Sequence, residues 1–360
     1  MEFQVTFGKI QGADKIRIKN TSIFAKPFRH TFLQSFMQNL NQLQKAFESY
    51  LLQNRFLGQP TALYEPANYI LALGGKRLRP AALMAAHQLF EDRVEGCLPA
   101  ALAVEVFHNF SLVHDDIMDA APLRRGQPTV HQKYSLNAGI LSGDVMLVKS
   151  YELLLQAETP AKLKLLDIFT KMAVQVCEGQ QMDMDFETEA DVSIPKYLEM
   201  ITLKTAVLLA SALEMGAIIG GSSEADARLL YDFGLNLGIA FQLQDDILDA
   251  FGDPIKFGKK TGGDIVQNKK TYLYLKALEI APRQTASYLM ELYATTNLPE
   301  SQKILEVLQI FTELDIRHLA EDKMKSYWET SVHSLQQVGV SADRKLLLEG
   351  LASSLIQRDH

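Results

Sequence analysis

The sequence is poor in cysteine and contains no uninterrupted run of about 18 apolar residues. Its two cysteines, Cys97 and Cys177, provide neither a disulfide framework nor the ligand spacing of a metal site. This usage favours a reduced, cytoplasmic setting. Because about 18 consecutive apolar residues are needed for a transmembrane helix, we expect no membrane span. The N-terminus also lacks the apolar centre of a secretory signal.

An excess of positive charge and an alternation of strand and helix patterns are missing as well. The formal net charge is -7, which gives no support to a nucleic-acid partner. No βαβ pattern appears, and no unit of about 20 to 50 residues repeats. With 47% hydrophobic residues among 360, the chain can bury a large core.

Helical periodicity is present nearly throughout, from about residue 31 to the C-terminus. Apolar residues recur at spacings of three and four, as at Leu40, Leu43 and Phe47. The interruptions are short and contain Gly or Pro, and Ser193 is a candidate N-cap. The pattern predicts an all-α fold, with residues 31–360 forming a single helical-bundle domain.

Residues 1–30 differ from this domain. They are basic and contain short alternating pieces that hint weakly at strand. We expect a flexible extension, or a start codon assigned too early, because Met37 opens a regular helical pattern. The alternative is a small hairpin or an arm that binds a partner.

Two acidic clusters of identical pattern carry the strongest functional signal. Each has two adjacent aspartates and a third one three positions later: Asp115, Asp116 and Asp119, then Asp245, Asp246 and Asp249. Both are expected at helix C-termini, where the helix dipole disfavours anions by several tenths of a kcal/mol. Such carboxylates fit a hard divalent cation, and Mg²⁺ typically completes its shell with water and substrate phosphate. Structural ion pairs are the alternative explanation.

Basic residues stand at the neighbouring breaks. In chain order they are Lys76 with Arg79, Arg124 with Arg125, Lys204 with Thr205, and Lys259 with Lys269. The first pair begins a helix, where backbone N–H groups favour anions, and the two arginines suit bidentate binding of phosphate. Lys204 lies in an apolar helix, a costly position for a lysine without an anionic partner. The Gly258-Lys259 loop is suited to closing over phosphate but lacks the spacing of a P-loop.

Two further polar features have less decisive patterns. His108 lies seven residues before Asp115, on nearly the same helix face. It is either a substrate contact or an ordinary core histidine. The polar stretch from Gln180 to Asp185 follows an apolar helix and is either a helix end or a wall of the site.

These motifs together resemble the trans-isoprenyl diphosphate synthases, or polyprenyl synthetases. The resemblance extends from about Pro66 to Lys270 and keeps the family's order. Its motifs are Gly74-Gly75-Lys76-Arg77-Leu78-Arg79-Pro80, the first acidic cluster with Arg124-Arg125-Gly126, Gly179-Gln180, Lys204-Thr205, Phe241-Gln242 with the second acidic cluster, and Gly258-Lys259. Residues 1–30 lie outside it, and residues from about 275 match only in helical character.

The resemblance implies a helical bundle around a deep central cavity, a homodimer, and head-to-tail condensation of isopentenyl diphosphate with an allylic diphosphate. Three Mg²⁺ ions would be held by Asp115, Asp119 and Asp245, with Asp116, Asp246 and Asp249 as further catalytic aspartates. The allylic diphosphate (dimethylallyl, geranyl or farnesyl) would contact Arg124, Lys204, Thr205, Gln242, Lys259 and Lys269. Isopentenyl diphosphate would contact Lys76, Arg79, His108 and Arg125.

The resemblance also implies where product length is set. In the family, bulky residues four, five and eight positions before the first aspartate shorten the product. Here these are Ser111, Phe110 and Phe107. We expect a product of C15 to C20, farnesyl or geranylgeranyl diphosphate, although both phenylalanines also suit a plain core.

Two other functions remain open at this point. A class I terpene cyclase shares the first acidic motif and the fold, but it would carry a different second metal motif. A non-catalytic partner subunit of a heteromeric prenyl synthase usually lacks one aspartate-rich motif, whereas both are intact here. Turnover with Mg²⁺ separates these alternatives.

Overall fold

The computed structural model describes residues 26–189, 191–252, 261–295 and 297–356, with side chains from residue 38 onward. Its first half contains α1 (Lys26–Gln53), α2 (Thr61–Ala72), α3 (Leu78–Gln88), α4 (Leu98–Met118), α5 (Val130–Lys133), α6 (Leu136–Leu154) and α7 (Lys162–Thr188). Then follow α8 (Ile194–Ile201), α9 (Val207–Ile219), α10 (Glu224–Phe251), α11 (Gly263–Val266), α12 (Tyr272–Ile280), α13 (Arg283–Ala294), α14 (Glu300–Glu313), α15 (Ile316–Gln337) and α16 (Ala342–Ile356). The all-α prediction is confirmed. The predicted N-terminal extension lies largely outside the described residues.

Strand structure in these ranges is limited to one small hairpin. Its strands, β1 (Leu123–Arg124) and β2 (Gln127–Pro128), are antiparallel. The two residues between them, Arg125 and Gly126, have φ angles of 54° and 73°. Two positive φ values in a two-residue loop match the twist of paired strands. The hairpin holds two predicted phosphate ligands directly after the first acidic motif.

Local sequence explains how the long helices begin. The side chain of Ser223 accepts a hydrogen bond from the Asp226 backbone N–H at the start of α10, and Glu224 lies in the first turn. Both features stabilise a helix N-terminus. Ser193 accepts in the same way from the N–H of Lys196 and starts α8, which confirms the predicted cap.

Helix α10 connects two hydrophobic cores. The first core contains buried side chains of α1 to α7, α9 and α16, together with Leu230 and Phe233 from the first half of α10. The second contains side chains of α8 and α12 to α15, together with Leu243 and Ile247 from the second half of α10. Because both halves are buried, the second acidic motif at the end of α10 has a fixed position.

Two helical stretches are apolar and long enough to cross a membrane by length and composition alone. They are Glu95–Met118, which is 78% buried, and Ile194–Ile219, which is 67% buried within the chain. Core helices of soluble proteins satisfy the same criteria, so length and composition do not show whether either stretch crosses a membrane. The predicted absence of a membrane span stays a prediction.

Candidate active site

Both acidic motifs lie at helix C-termini, as predicted. Asp115 is in the last turn of α4 and Asp119 is its C-cap, and Asp245 and Asp249 lie in the last two turns of α10. The Asp119 N–H donates to the carbonyl of Asp115 at 2.8 Å. Since helix C-termini carry partial negative charge, these carboxylates need cations nearby.

Lys204 forms ion pairs with two aspartates of this region. Its Nζ lies 2.5 Å from Oδ2 of Asp183 and 3.3 Å from Oδ1 of Asp115. Burial acts to lower the pKa of Lys204, but the two aspartates outweigh burial and hold that pKa above its usual value. The predicted anionic partner of this lysine is therefore present even without substrate.

Lys204 occupies an irregular stretch of helix. Residues Thr202–Ala206 form a π-helical turn between α8 and α9, a feature that is often found at functional sites. On α7, Gly179 lies so close to this turn that a Cβ atom would be 2.2 Å from the backbone nitrogen of Lys204. The glycine of the Gly179-Gln180 motif thus permits the approach that places Asp183 beside Lys204.

Asp116 binds Arg124 of the hairpin. It is 1% exposed, and Nε of Arg124 lies 2.8 Å from each of its carboxylate oxygens. Burial raises the pKa of Asp116, and the Arg124 guanidinium counteracts this shift. Arg124 also reaches Asp115 at 3.4 Å. Asp116 therefore orients Arg124 toward the first acidic motif.

Asp246 is buried in the packing between α10 and α8. The Tyr197 hydroxyl donates to its carboxylate, and Nε2 of Gln242 donates at 3.2 Å. Burial, reinforced by Asp264, raises the pKa of Asp246 to about 8. These hydrogen bonds indicate that Asp246 positions Tyr197 and Gln242. Its predicted catalytic role stays a prediction.

Asp249 organises the segment that follows the second motif. Its Oδ2 accepts from the N–H of Asp264 at 3.0 Å, and its carbonyl accepts from the N–H of Gly262 at 2.7 Å. Burial and the nearby Asp249 raise the pKa of Asp264 to about 6. Lys269 lies 3.9 Å from Asp264, so this predicted phosphate ligand is directed toward the carboxylates.

The two acidic motifs are linked by residues whose charges act on both regions. Burial and the charge of Asp115 raise the pKa of Asp119, while Lys269 and Lys204 act to lower it. The charge of Asp183 raises the pKa values of both Asp119 and Asp264, and the charge of Asp245 also raises the pKa of Asp264. Lys269 and Asp183 thus act both on Asp119 of the first motif and on Asp264, which follows the second motif. The sequence pattern flagged Asp183 only within a polar stretch, and Asp264 had no signal beyond its place between a glycine pair and Lys269.

The donor set fits magnesium that is completed by substrate. Carboxylate oxygens are the protein ligands that Mg²⁺ prefers, and it commonly keeps water and substrate phosphate in its shell. Among the described His, Cys, Asp and Glu side chains, no three converge closely enough to hold a metal ion by themselves. Asp115, Asp119 and Asp245 would therefore hold the ions together with diphosphate oxygens.

A second basic cluster lies next to the first motif. Nη1 of Arg79 is 3.1 Å from Nε2 of His108, and Nε of Arg79 is buried without a hydrogen-bond partner among the described residues. Burial and the surrounding arginines keep the pKa of His108 well below its usual value, so the ring is neutral and accepts from Arg79. The Arg125 guanidinium donates to the Gly74 carbonyl. A diphosphate would satisfy the buried guanidinium of Arg79.

The remaining predicted ligands have definite positions, with one exception. The Thr205 hydroxyl lies 3.4 Å from Oε1 of Gln242, which links the π-helical turn to α10. Lys76 lies on the loop between α2 and α3, three residues before Arg79. Lys259 lies outside the described residues.

An aromatic cluster precedes the first motif on α4. The ring centroids of Phe107 and Phe110 are 5.4 Å apart, and the Phe107 ring packs edge-on against Phe169 at 5.4 Å. Phe107 is fully buried and Phe110 is nearly so, whereas the hydroxyl of Ser111 donates to the His108 carbonyl. Phe107 and Phe110 thus belong to the hydrophobic core, and the predicted role of these residues and of Ser111 in setting chain length stays a prediction.

Comparison with known proteins agrees with this architecture. The polyprenyl synthetase family model matches residues 60–311. A geranylgeranyl diphosphate synthase of Sulfolobus acidocaldarius is 36% identical over 312 residues, covering 86% of this chain and 92% of that protein. A crystal structure of a geranylgeranyl pyrophosphate synthase has a TM-score of 0.85 and 44% identity, covering 89% of this chain and 99% of that one.

A third comparison includes bound ligands. The polyprenyl synthase of Caulobacter crescentus, crystallised with calcium and isoprenyl diphosphate, has a TM-score of 0.79 and 28% identity, and the match covers 89% of this chain and 98% of that one. The motifs, the all-helical fold and the family match over most of the chain agree with one another. The chain belongs to the polyprenyl synthetase family.

Proposed function

We propose that the protein is a magnesium-dependent short-chain prenyltransferase. It condenses isopentenyl diphosphate head-to-tail with an allylic diphosphate and releases diphosphate and a C15 to C20 prenyl diphosphate. The observation that carries this proposal is the presence of two adjoining cationic clusters. Lys204, Arg124 and Lys269 accompany the acidic motifs, whereas Arg79 belongs to a separate cluster with His108 and Arg125. Two clusters suit two diphosphate substrates.

The first cluster is suited to the bond that breaks. Ionisation of the allylic C–O bond builds negative charge on the leaving diphosphate, and fixed cations stabilise that charge as it develops. Lys204 and Arg124 are already held near Asp115 by ion pairs, so little reorganisation accompanies the reaction. Bound Mg²⁺ supplies further stabilisation of this charge. Support for a divalent cation comes from the calcium bound to the Caulobacter relative.

The second cluster is suited to the nucleophile. Arg79, Arg125 and Lys76 hold the diphosphate of isopentenyl diphosphate while its alkene attacks the allylic cation. The alkene is the nucleophile, and the departing diphosphate takes the proton that the condensed cation loses from C2 of the isopentenyl unit, so no base from the protein is required. The neutral His108 orients Arg79 because its Nε2 accepts from the guanidinium.

Chain length is assigned to the aromatic cluster. Phe107 and Phe110 lie one to two turns before Asp115 on α4, on the path of a hydrocarbon tail that starts at the metal-bound diphosphate. The packing of Phe107 against Phe169 and against Phe110 resists displacement by a growing chain. Similarity to a geranylgeranyl diphosphate synthase supports a short product.

We propose a cytoplasmic homodimer for the assembly. Both cysteines are free, which suits a reducing compartment. Along α6 and its C-cap, Leu141, Val148 and Leu155 are spaced by seven residues and are 57%, 65% and 47% exposed. Residues at this spacing share one helix face, and an exposed apolar face favours association.

The function is tested by product analysis. Purified protein is incubated with isopentenyl diphosphate and, in turn, dimethylallyl, geranyl or farnesyl diphosphate, with and without Mg²⁺. Diphosphate release and product carbon number are measured. Magnesium-dependent formation of C15 to C20 products is expected. No release from any pair would contradict the proposal and favour a non-catalytic partner subunit, whereas a cyclic hydrocarbon would indicate a terpene cyclase.

A further inference from the structure

Arg77 lies in the middle of the basic motif, yet it is directed away from the proposed substrates. It is 5% exposed, precedes α3 as its N-cap and has a φ angle of 47°. A positive φ at an arginine is uncommon and costs free energy, so surrounding contacts must maintain it. Buried arginines of this kind require satisfied donors.

Three elements satisfy this guanidinium. Nε lies 2.7 Å from Oε1 of Glu48 on α1, Nη1 lies 2.6 Å from Oε1 of Glu105 on α4, and Nη2 donates to the carbonyl of Leu71 on α2 at 2.6 Å. Burial acts to lower the pKa of Arg77, but Glu105 and Glu48 outweigh it and the pKa is raised. The side chain therefore joins three helices with charge-assisted hydrogen bonds.

Two further contacts hold the loop that carries Lys76. Nε2 of Gln44 on α1 donates to the Lys76 carbonyl at 2.8 Å. On the other side, the Arg125 guanidinium lies against Gly75, where a Cβ atom would be 2.9 Å from Cζ of Arg125. The loop between α2 and α3 is thus held from α1 on one face and by the hairpin arginine on the other.

Glu105 connects this arrangement to the second basic cluster. It is 3% exposed, and Nδ2 of Asn109 donates to its Oε1 at 3.0 Å. The negative charge of Glu105 acts to raise the pKa values of Arg77, Arg79 and Arg125. One buried carboxylate therefore offsets the mutual repulsion of three arginines and lies one turn before His108 on α4.

We propose that Arg77, anchored by Glu105 and by α1, is a positioning residue for the isopentenyl diphosphate subsite. This inference rests on the proposed function. Arg77 holds the loop between α2 and α3 and the first turn of α3 in place. In that position Lys76 and Arg79 bind the diphosphate together with Arg125. Arg77 itself does not contact the substrate.

Arg77→Lys is the direct test, because lysine keeps the charge but cannot reach three partners at once. The KM for isopentenyl diphosphate is measured at saturating allylic diphosphate, and the KM for the allylic substrate at saturating isopentenyl diphosphate. The first is expected to rise about tenfold or more, the scale of a lost charge-assisted hydrogen bond, and the second to stay within about twofold. Glu105→Gln, which keeps the acceptor oxygen, is expected to change the first KM less than Glu105→Ala.

A pair of variants on α1 keeps the test decisive if Arg77→Lys fails to fold. Gln44→Ala removes only the hydrogen bond to the Lys76 carbonyl and is expected to raise the KM for isopentenyl diphosphate about fivefold. Gln42→Ala is the matched control, since Gln42 is exposed on the same helix; its KM values should equal those of the unmodified protein. Calorimetric titration with isopentenyl diphosphate alone should show the same differences in Kd.

The outcomes separate the two proposals. Absence of turnover in the unmodified protein contradicts the proposed function. Normal turnover with an unchanged KM for isopentenyl diphosphate in both Gln44→Ala and Arg77→Lys contradicts the positioning role alone. A lower melting temperature with both KM values unchanged would show that Arg77 stabilises the fold and nothing more.

Discussion

Lys204 shows how single side chains balance the charge of this site. It lies between carboxylates from two helices, Asp183 of α7 and Asp115 of α4, and is partly withdrawn from solvent. In the proposed function, the diphosphate of the substrate would be a further anionic partner for Lys204, and Mg²⁺ would offset the charge of Asp115. The ion pairs with Asp183 and Asp115 hold the lysine in place for that role.

Replacement of Asp115 by asparagine tests this balance. The variant loses a proposed metal ligand and a partner of Lys204, so kcat should fall by about 10² to 10³. The fold should persist, because Asp115 is partly exposed. Diphosphate release and circular dichroism measure the two effects. Asp167→Asn, an exposed aspartate paired with Lys171 on α7, is the control; comparable turnover in both variants would defeat the assignment.

Phe110 governs product length in the proposed function. Phe110→Ala should lengthen the product by at least one C5 unit, because the aromatic cluster loses a ring that contacts Phe107. The same change should lower the free energy of unfolding by about 3–5 kcal/mol, the usual cost of removing a buried phenylalanine. Chromatography of dephosphorylated products measures chain length. Phe110→Leu should give an intermediate result, and unchanged products in both Phe110→Ala and Phe107→Ala would show that chain length is set elsewhere.

At the scale of elements, the π-helical turn and α7 act as one unit. The turn presents Lys204 and Thr205 toward α7 and α10, and Gly179 provides the space for that approach. The irregular helix thus directs both predicted diphosphate ligands, Lys204 and Thr205, toward neighbouring helices, whereas a regular helix would turn at least one of them away.

Gly179→Ala should disturb this unit. The added methyl would lie 2.2 Å from the Lys204 nitrogen, so the helices must separate at a cost of about 1–3 kcal/mol. The KM for the allylic diphosphate should rise because Lys204 and Thr205 move. Gly221→Ala serves as a control, since its φ of +85° is strained but no atom lies within 4 Å of the added carbon. It should lower the melting temperature without changing either KM.

Features that are determined by residues close in the sequence can be predicted from it, whereas features that depend on tertiary contacts cannot. Helix identity, the Ser193 cap and the position of both acidic motifs at helix ends follow from periodicity and neighbouring residues, and the structure confirms them. Asp245 and Asp246 cannot be distinguished by pattern. Their difference arises because α8 packs against α10 and brings Tyr197 to Asp246. Asp264 and the partners of Arg77 are likewise tertiary contacts, which a single sequence does not encode in any spacing.

At the scale of the whole molecule, the exposed face of α6 determines the expected assembly. Val148→Glu would place a charge in the proposed interface, where it loses hydration without a partner. Sedimentation velocity should show a dimer for the unmodified protein and a monomer for the variant. Leu305→Glu, on a 68% exposed leucine of α14, is the control. A dimer that persists in Val148→Glu would place the interface elsewhere.

The position of helix α10 in both cores determines how the molecule unfolds. Because Leu230 belongs to one core and Leu243 to the other, neither core can lose its packing while the helix remains fully supported. Amide hydrogens in α4 and in α14 should therefore exchange with deuterium through the same global opening. Leu230→Ala and Leu243→Ala should each accelerate that exchange in both regions, and a response confined to one region would reveal two separately unfolding units.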